Sequence, residues 1–178
     1  MGYMAPNDEF SELMESDSLE KEIHIMDIRD VHAESSSGKV VAVCLSEERG
    51  TVKQNVGAGY LKEGYGLLDD AHAGSDKQVS LLALEDVQKV CAAEGIEASP
   101  GDFAENITTS GIDLVSLPVG IRLQLGEAVI KVTRIGKEKH LVHTYNYKGV
   151  SILPQRGVFA NVEKSGNVKT GDKIVAIA

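Results

Sequence analysis

The sequence predicts a mainly β fold, arranged as a barrel or a compact sheet with one or two short helices. Three observations predict it: short runs of alternating apolar and polar residues, turns built on glycine, and one segment with clear helical periodicity. The chain has 178 residues, 42% of them hydrophobic, which is enough for one domain with an ordinary core. Aromatic residues make up only 4% and tryptophan is absent, so aliphatic side chains must fill that core.

The N-terminal half contains the first predicted strand and one ambiguous apolar run. Residues 39–47, KVVAVCLSE, follow the polar linker ESSSG and are rich in β-branched residues, which favours a strand. A loop is predicted over residues 49–59. Residues 78–84, QVSLLAL, fit either a strand or the entry to a helix.

The clearest helix is predicted over residues 84–95, LEDVQKVCAAEG. Glu85 and Asp86 lie in its first turn, where acidic side chains are favoured, and Gly95 is suited to the C-cap. Its apolar face is formed by Leu84, Val87, Val90 and Cys91.

The C-terminal half is predicted to be β structure. Residues 121–136, IRLQLGEAVIKVTRIG, form two alternating runs joined at Gly-Glu, which is typical of a hairpin. Two further strands are predicted at residues 157–163 and 172–177, separated by the turn-rich KSGNVKTG.

The net charge of −9 is concentrated at the N-terminus. Residues 1–36 hold ten acidic residues against Lys21 and Arg29, whereas the remainder of the chain is nearly neutral. This composition predicts a flexible, solvated segment at 1–36 ahead of a folded domain at 37–178. We find no basic stripe with interleaved aromatics, so nucleic-acid binding is not expected. An apolar run of membrane-spanning length and a signal peptide are both missing from the sequence, so a cytoplasmic protein is expected.

The two cysteines are predicted to be small core residues. Cys44 lies in the apolar run VVAVCLS, Cys91 lies on the apolar helix face, and no CxxC spacing is present. This usage fits a reducing compartment and does not indicate a disulfide or a metal site.

Several polar loops hold candidate site residues, each with an ordinary structural alternative. His72 lies among small residues ahead of Gly74, where a backbone can approach a ligand closely, although such a histidine is more often structural or exposed. Glu105 and Asn106 precede a threonine pair, and asparagine there is commonly a turn or capping residue. Arg156 follows in the loop LPQRG.

A basic cluster follows the second hairpin strand, and it consists of Lys137, Lys139, His140 and His143. Taken alone, it would normally be a solvated loop. His140 and His143 are three residues apart, which in a strand points their rings to opposite faces, so a metal site shared with His72 is not expected.

Taken together, four segments resemble one known family. They are DAHAG with KQVSLLALE, PGDFAENITTSGIDLVSLPVG, AVIKVTRIGK, and RGVFANV with GDKI. In this order they resemble the MOSC domain, named after the C-terminal domain of molybdenum cofactor sulfurase, and in particular its short stand-alone bacterial members. The resemblance runs from about Gly38 to Ile177 and leaves residues 1–36 outside it.

The resemblance implies a MOSC-like β-barrel and an association with the molybdenum cofactor, a pterin dithiolene (molybdopterin) that carries molybdenum and a terminal phosphate. Some members are proposed to pass sulfur to the metal. In the multidomain sulfurase, a separate pyridoxal-phosphate domain extracts that sulfur from cysteine. No segment here resembles that domain, so pyridoxal phosphate is not expected. The implied partners are the cofactor or a pterin phosphate, together with a cofactor biosynthesis enzyme or a molybdoenzyme. Neither nucleic acid nor a membrane is expected.

The chain departs from the family pattern at two positions. Family members commonly carry Gly-Lys-x-Cys-His after the hairpin, whereas here Lys139 stands where the cysteine is expected. An ammonium group cannot carry sulfane sulfur, so no catalytic residue is assigned and sulfur transfer is not expected. Lys77 replaces an expected arginine, which keeps the charge but loses the bidentate grip on phosphate.

The leading hypothesis is a protein that binds or carries the molybdenum cofactor or its precursor. The resemblance assigns its binding residues as His72, Gly74, Lys77, Asn106, Lys137, Lys139, His140 and Arg156. One alternative is a component of a molybdenum-dependent reductase acting on N-hydroxylated compounds. Another is a degenerate, non-catalytic interaction module that uses its acidic N-terminal segment. The sequence leaves the oligomeric state open.

Overall fold

Seven strands close into a barrel in the part of the chain that the computed structural model describes, residues 37–136 and 145–177. The strands are β1 (Ser37–Leu45), β2 (Gln54–Asn55), β3 (Ala58–Lys62), β4 (Gly66–Leu67), β5 (Val79–Ala83), β6 (Ile107–Ser110), β7 (Arg122–Leu125), β8 (Ala128–Ile135), β9 (Val158–Lys164), β10 (Gly166–Lys169) and β11 (Lys173–Ile177). Two α-helices accompany them in these residues, α1 (Leu84–Glu94) and α2 (Leu153–Arg156), with a 3-10 turn at Leu114–Ser116.

The barrel follows the strand order β1-β6-β5-β9-β8-β7-β11 and closes where β11 pairs with β1. Neighbouring strands are antiparallel except for β5 and β6, which run parallel and are connected through α1. Closure leaves no free edge among the seven strands, which removes the unpaired backbone groups of an open sheet. A small second sheet, ordered β10-β3-β4, lies beside the barrel.

The barrel is filled by aliphatic side chains, as the composition predicts. Inward-facing residues of β9 include Val158, Ala160 and Val162, which belong to one buried cluster with residues from the other barrel strands. The alternate residues Phe159 and Asn161 therefore lie on the outer face of β9. A second apolar cluster packs α1 against the outside of β5, through Leu82 and Val87.

The predicted hairpin and helix are confirmed. β7 and β8 pair antiparallel around a turn at residues 126–127, and α1 ends at Gly95, whose φ of 66° gives the left-handed C-cap. The ambiguous run 78–84 is a strand up to Ala83, after which α1 begins. The mainly β class and the barrel are likewise confirmed.

Three strands lie in segments that the sequence analysis treated as turns or loops, and β3 begins in one. β2 lies inside the predicted loop 49–59, where β3 also begins. β6 occupies the polar run Ile107–Ser110, and β10 occupies Gly166–Lys169 inside KSGNVKTG. Residues 1–36 lie outside the described part of the chain, so the division at residue 36 stays a prediction. In the described part, no helix has the length and apolar character needed to cross a membrane.

Candidate functional site

His72 lies in the loop between β4 and β5, at the end of the barrel where β5 begins. The loop is held to the end of β1 because the backbone N–H of Ala71 donates to the carbonyl of Ser46, at 2.8 Å. Within the loop, Ser75 donates its hydroxyl to the carbonyl of His72, at 2.7 Å. The first bond holds the start of the loop, and the second closes a turn that begins at His72.

Asp70 lies directly behind His72 and forms a buried ion pair with Lys53. The Nζ of Lys53 donates to Oδ2 of Asp70, and the two side chains are 2% and 0% exposed, against 28% for His72. The other oxygen, Oδ1, accepts the backbone N–H of His72 at 3.0 Å and lies 3.5 Å from the Nδ1 of its ring. The three side chains form a chain that leads from the interior to the surface.

The ionised carboxylate is stabilised by these contacts. Burial alone would raise the pKa of Asp70, but hydrogen bonds from His72 and Lys53, together with the charge of Lys53, lower it well below its ordinary value. Burial lowers the pKa of Lys53, and its contact with Asp70 opposes that change. Because a buried charge is costly without a partner, each member of the pair requires the other.

Gly74 packs closely within the same loop, and its predicted contact with a ligand stays a prediction. Its φ is 76°, and a Cβ placed there would lie 3.1 Å from the ring of Tyr65. Its N–H also donates to the carbonyl of Tyr65 at 2.6 Å. These contacts explain why glycine is needed here and give it a packing role.

Lys77 lies just before β5, in the same loop as His72, and is half-buried. Its backbone N–H donates to the hydroxyl of Ser75 at 3.1 Å. No ion pair joins its ammonium group to another of the described residues. His72, Gly74 and Lys77 are thus the three predicted site residues that lie in this loop.

Asn106 is buried between β1 and β5, where its side chain joins three strands. Its Oδ1 accepts from the backbone N–H of Ser80 at 3.1 Å and from the Ser80 hydroxyl at 3.0 Å, while Nδ2 donates to the carbonyl of Cys44 at 3.2 Å. These bonds link the start of β6 to β5 and β1. The contacts assign Asn106 a structural role, and ligand binding by its side chain stays a prediction.

Glu105, the residue before it, is fully buried. Its Oε1 accepts from the N–H of Gly101 and from the hydroxyl of Thr108, each at 2.8 Å. Its Oε2 has no hydrogen-bond partner in the described part of the chain. Burial raises the pKa of this carboxyl, opposed by its two hydrogen bonds, so the neutral acid is favoured.

Cys44 lies beside this carboxyl and is also fully buried. Burial, with a smaller contribution from the charge of Glu105, raises the pKa of the thiol to about 12. Since the thiolate is the form that carries sulfur or binds metal, Cys44 is unsuited to either task at neutral pH. Cys91 is half-buried on α1 and lines a cavity of about 620 Å³ together with Tyr147 and Ser99.

Arg156 lies at the end of α2, away from His72. Its guanidinium donates to Oδ1 of Asp86 on α1 at 2.7 Å, which raises the pKa of Arg156. Asp86 follows the last residue of β5, whereas the His72 loop precedes its first, so β5 separates the two sites by roughly 13 Å at 3.3 Å per residue. The structure therefore does not bring Arg156 and His72 together.

The basic cluster itself, Lys137, Lys139, His140 and His143, lies outside the described residues. The strand that leads into it, β8, carries Arg134 on its outer face, where the guanidinium packs over the ring of Phe159 at 5.0 Å. In the described part of the chain, the Nε of Arg134 and the Oδ1 of the neighbouring Asn161 are buried and have no hydrogen-bond partner. These atoms leave unused hydrogen-bonding capacity on this face.

The donors found here suit an anion. Lys77 and Arg134 are cations, and His72 offers an imidazole at the surface, whereas Cys44 cannot supply a thiolate. The described residues thus fit the phosphate part of a pterin cofactor better than they fit a thiolate-bound metal.

The Lys53–Asp70 pair was not identified from the sequence. The two residues are 17 positions apart, and neither lies in a pattern that predicts burial of a charge. The only available signal was the spacing of Asp70 and His72 in DDAHAG, which permits a carboxylate to contact a nearby imidazole. Arg134 was part of a quoted motif but was not assigned a role.

The barrel is shared with several solved structures. The YuaD protein from Bacillus subtilis aligns with a TM-score of 0.59 at 19% identity, over 78% of this chain and 94% of that one. YiiM from Escherichia coli aligns with a TM-score of 0.56 at 20% identity, over 80% of this chain and 70% of that one. YiiM from Geobacillus stearothermophilus aligns with a TM-score of 0.55 at 19% identity, over 82% of this chain and 74% of that one. At these identities the likeness establishes the fold alone.

A closed β-barrel with a polar loop before β5 thus defines the fold class. Residues 69–136, which include His72, Lys77, Asn106 and Arg134, match the family model of the MOSC domain. This match confirms, over these residues, the resemblance seen in the motifs. No curated protein matches the chain.

Proposed function

We propose that this MOSC-domain protein binds the molybdenum cofactor, or its pterin phosphate precursor, at the end of the barrel that carries His72 and Lys77. The observation that carries the proposal is the His72 loop itself. It lies within the residues that match the family, it holds a half-exposed imidazole against a buried ion pair, and it supplies a cation before β5.

The cations divide into two groups. Lys77 is placed in the His72 loop to contact an anion. Arg134 lies on β8 opposite Phe159, and β8 ends beside Val158, toward the other end of β5. Lys137, Lys139 and His140, which follow β8, are therefore added only on the evidence of the family pattern. Arg156 is excluded from this group because Asp86 already neutralises it. When bound, the cofactor would bring molybdenum and its dithiolene; the protein's own contribution is to hold its phosphate and pterin.

Equilibrium binding of molybdopterin to the purified protein tests this proposal. A charge-assisted hydrogen bond to phosphate contributes about 1.5–3 kcal/mol, so Lys77→Ala should weaken binding by about tenfold or more. Lys173→Ala is the matched control, because Lys173 is an exposed lysine on β11, on another side of the barrel. Equal affinity of the wild type and Lys77→Ala would contradict the assigned role of Lys77, and no binding by the wild type would reject the proposal.

Sulfur transfer is not part of the proposed function. Lys139 stands in place of the family cysteine, and the buried Cys44 has a thiol with a raised pKa. These two observations also count against the reductase alternative, since a cysteine thiolate is the expected protein ligand to molybdenum.

The variant Lys139→Cys tests whether this part of the chain has lost only the family thiol or the surrounding site as well. We expect the variant, when incubated with a sulfur donor, to gain sulfane sulfur that mass spectrometry detects on residue 139. The wild type should show no gain at that residue. A variant that stays unmodified would indicate that this part of the chain has changed beyond position 139.

A further inference from the structure

Asp70 has both carboxylate oxygens fixed by donors from three directions. Oδ2 accepts from the Nζ of Lys53 and from the backbone N–H of Ser46, at 3.2 Å for the latter. Oδ1 accepts from the backbone N–H of His72 at 3.0 Å. The carboxylate therefore cannot rotate without losing several bonds, and its Oδ1 stays directed at the Nδ1 of His72, 3.5 Å away.

This arrangement selects one tautomer of the imidazole. An ionised carboxylate only accepts hydrogen bonds, so a proton on the ring nitrogen that faces it at 3.5 Å is favoured over a lone pair there. In a neutral imidazole the other nitrogen, Nε2, then has a free lone pair. Because the ring is partly exposed, Nε2 is the nitrogen available to a ligand.

Lys53 already compensates the charge of Asp70, so the carboxylate orients His72 without requiring an imidazolium partner. The same loop also carries Asp69, Asp76 and Lys77, and Arg49, on the β1–β2 connection, donates its Nε to the carbonyl of Ala71 at 3.0 Å.

We propose that Asp70, held by Lys53, is a positioning residue that fixes His72 as the Nδ1–H tautomer, so that Nε2 accepts a hydrogen bond from an N–H or O–H group of the ligand. The ligand half of this inference rests on the proposed function. An ionised phosphate offers only acceptors and does not complement Nε2, whereas a pterin ring carries N–H and amino donors. His72 therefore contacts the pterin, and the cations contact the phosphate.

The tautomer is measured directly by the ring ¹⁵N chemical shifts of His72, assigned by their loss in His72→Gln, at a pH above its titration. We expect a protonated Nδ1 and an unprotonated Nε2 in the wild type. In Asp70→Asn, Lys53 retains the amide oxygen and the amide NH₂ faces the ring, so the proton should move to Nε2. Asp172→Asn, which breaks the exposed Lys169 pair, should leave the His72 shifts unchanged.

A wild-type ring that carries its proton on Nε2 would overturn the positioning role, and this result requires no variant to fold. The ligand half is tested by molybdopterin affinity across the titration of His72 in the same protein. Loss of the acceptor should weaken binding about fivefold, the equivalent of about 1 kcal/mol. Tighter binding on protonation would instead assign His72 to the phosphate. No binding at any pH would reject the proposed function, and the tautomer result would still decide the positioning role.

Discussion

At the residue scale, the buried carboxyl of Glu105 is expected to make the free energy of unfolding fall as pH rises. Its carboxyl is buried as the neutral acid, with one oxygen bonded to Gly101 and Thr108 and the other without a partner in the described residues. The unfolded chain releases this proton near the ordinary value of 4.5, whereas the folded protein retains it to higher pH. Stability from this group is therefore fully present below pH 4.5 and is lost as pH rises through the raised pKa.

Glu105→Gln should remove this dependence. The amide keeps an oxygen for the bonds from Gly101 and Thr108 but has no proton to lose. We expect the wild type to lose up to about 1.4 kcal/mol of unfolding free energy per pH unit from this group, and the variant to lose none. Urea unfolding between pH 5 and 8 measures the difference, with the exposed Glu63→Gln as the control. Parallel profiles for the wild type and Glu105→Gln would show that this carboxyl ionises normally.

The two cysteines should differ in reactivity. The thiol of Cys44 is buried and its raised pKa of about 12 leaves little thiolate, whereas Cys91 is half-buried beside a cavity. Iodoacetamide at pH 8 should therefore modify Cys91 in the folded protein and reach Cys44 only after unfolding. Peptide mass spectrometry with Cys91→Ser as the reference measures both sites. Rapid modification of Cys44 in the folded protein would contradict a buried, protonated thiol and would make Cys44 a candidate sulfur carrier.

At the element scale, Asn106 connects the only parallel pair of strands in the described barrel to β1. Replacing it by alanine removes three side-chain hydrogen bonds, from the backbone N–H and hydroxyl of Ser80 and to the carbonyl of Cys44, although the hydroxyl still accepts the backbone N–H of residue 106. We expect Asn106→Ala to lose about 2–4 kcal/mol of unfolding free energy. Asn167→Ala, which loses an exposed contact with Glu127, is the matched control and should lose less than about 1 kcal/mol.

Denaturant titration of both variants checks this prediction. If Asn106→Ala instead has wild-type stability and weakened molybdopterin binding, Asn106 contacts the ligand and does not stabilise the barrel.

Local sequence patterns were sufficient for some elements of the fold and insufficient for others. The β7–β8 hairpin and α1 were predicted because alternation, the turn at Gly126 and the Gly95 cap all lie within a few residues of the structure that they specify. β6 was missed because Ile-Thr-Thr-Ser is polar for a buried strand. Its parallel pairing with β5 depends on the intervening helix, which returns the chain to the same end of the barrel.

The candidate site was predictable to a similar extent. His72 and Lys77 share one loop, so the motif was enough to group them. The ion pair behind His72 was not predicted, because the burial of Lys53 depends on how two separate loops pack. Arg156 was grouped with the cations by sequence, but the position of α1 pairs it with Asp86 instead. Such neutralisation is a tertiary contact that composition does not reveal.

At the scale of the whole molecule, the barrel places the site on connections and leaves the interior aliphatic. The interior cluster is aliphatic, whereas Lys53, Asp70 and Glu105, which are also buried, lie on connections between strands. This separation is typical of folds in which a rigid scaffold carries functional loops. Changes at residues 137–144 should therefore alter ligand binding more than they alter the stability of the barrel.

The molybdenum and pterin content of the native, full-length protein tests the central claim most directly. Elemental analysis measures the metal, and fluorescence after oxidative release measures the pterin. Our account predicts close to one pterin per chain, on isolation or after incubation with molybdopterin, without sulfane sulfur on the protein. A protein that holds no pterin and takes up none when the cofactor is supplied would contradict the account and favour a MOSC domain retained as a non-catalytic interaction module.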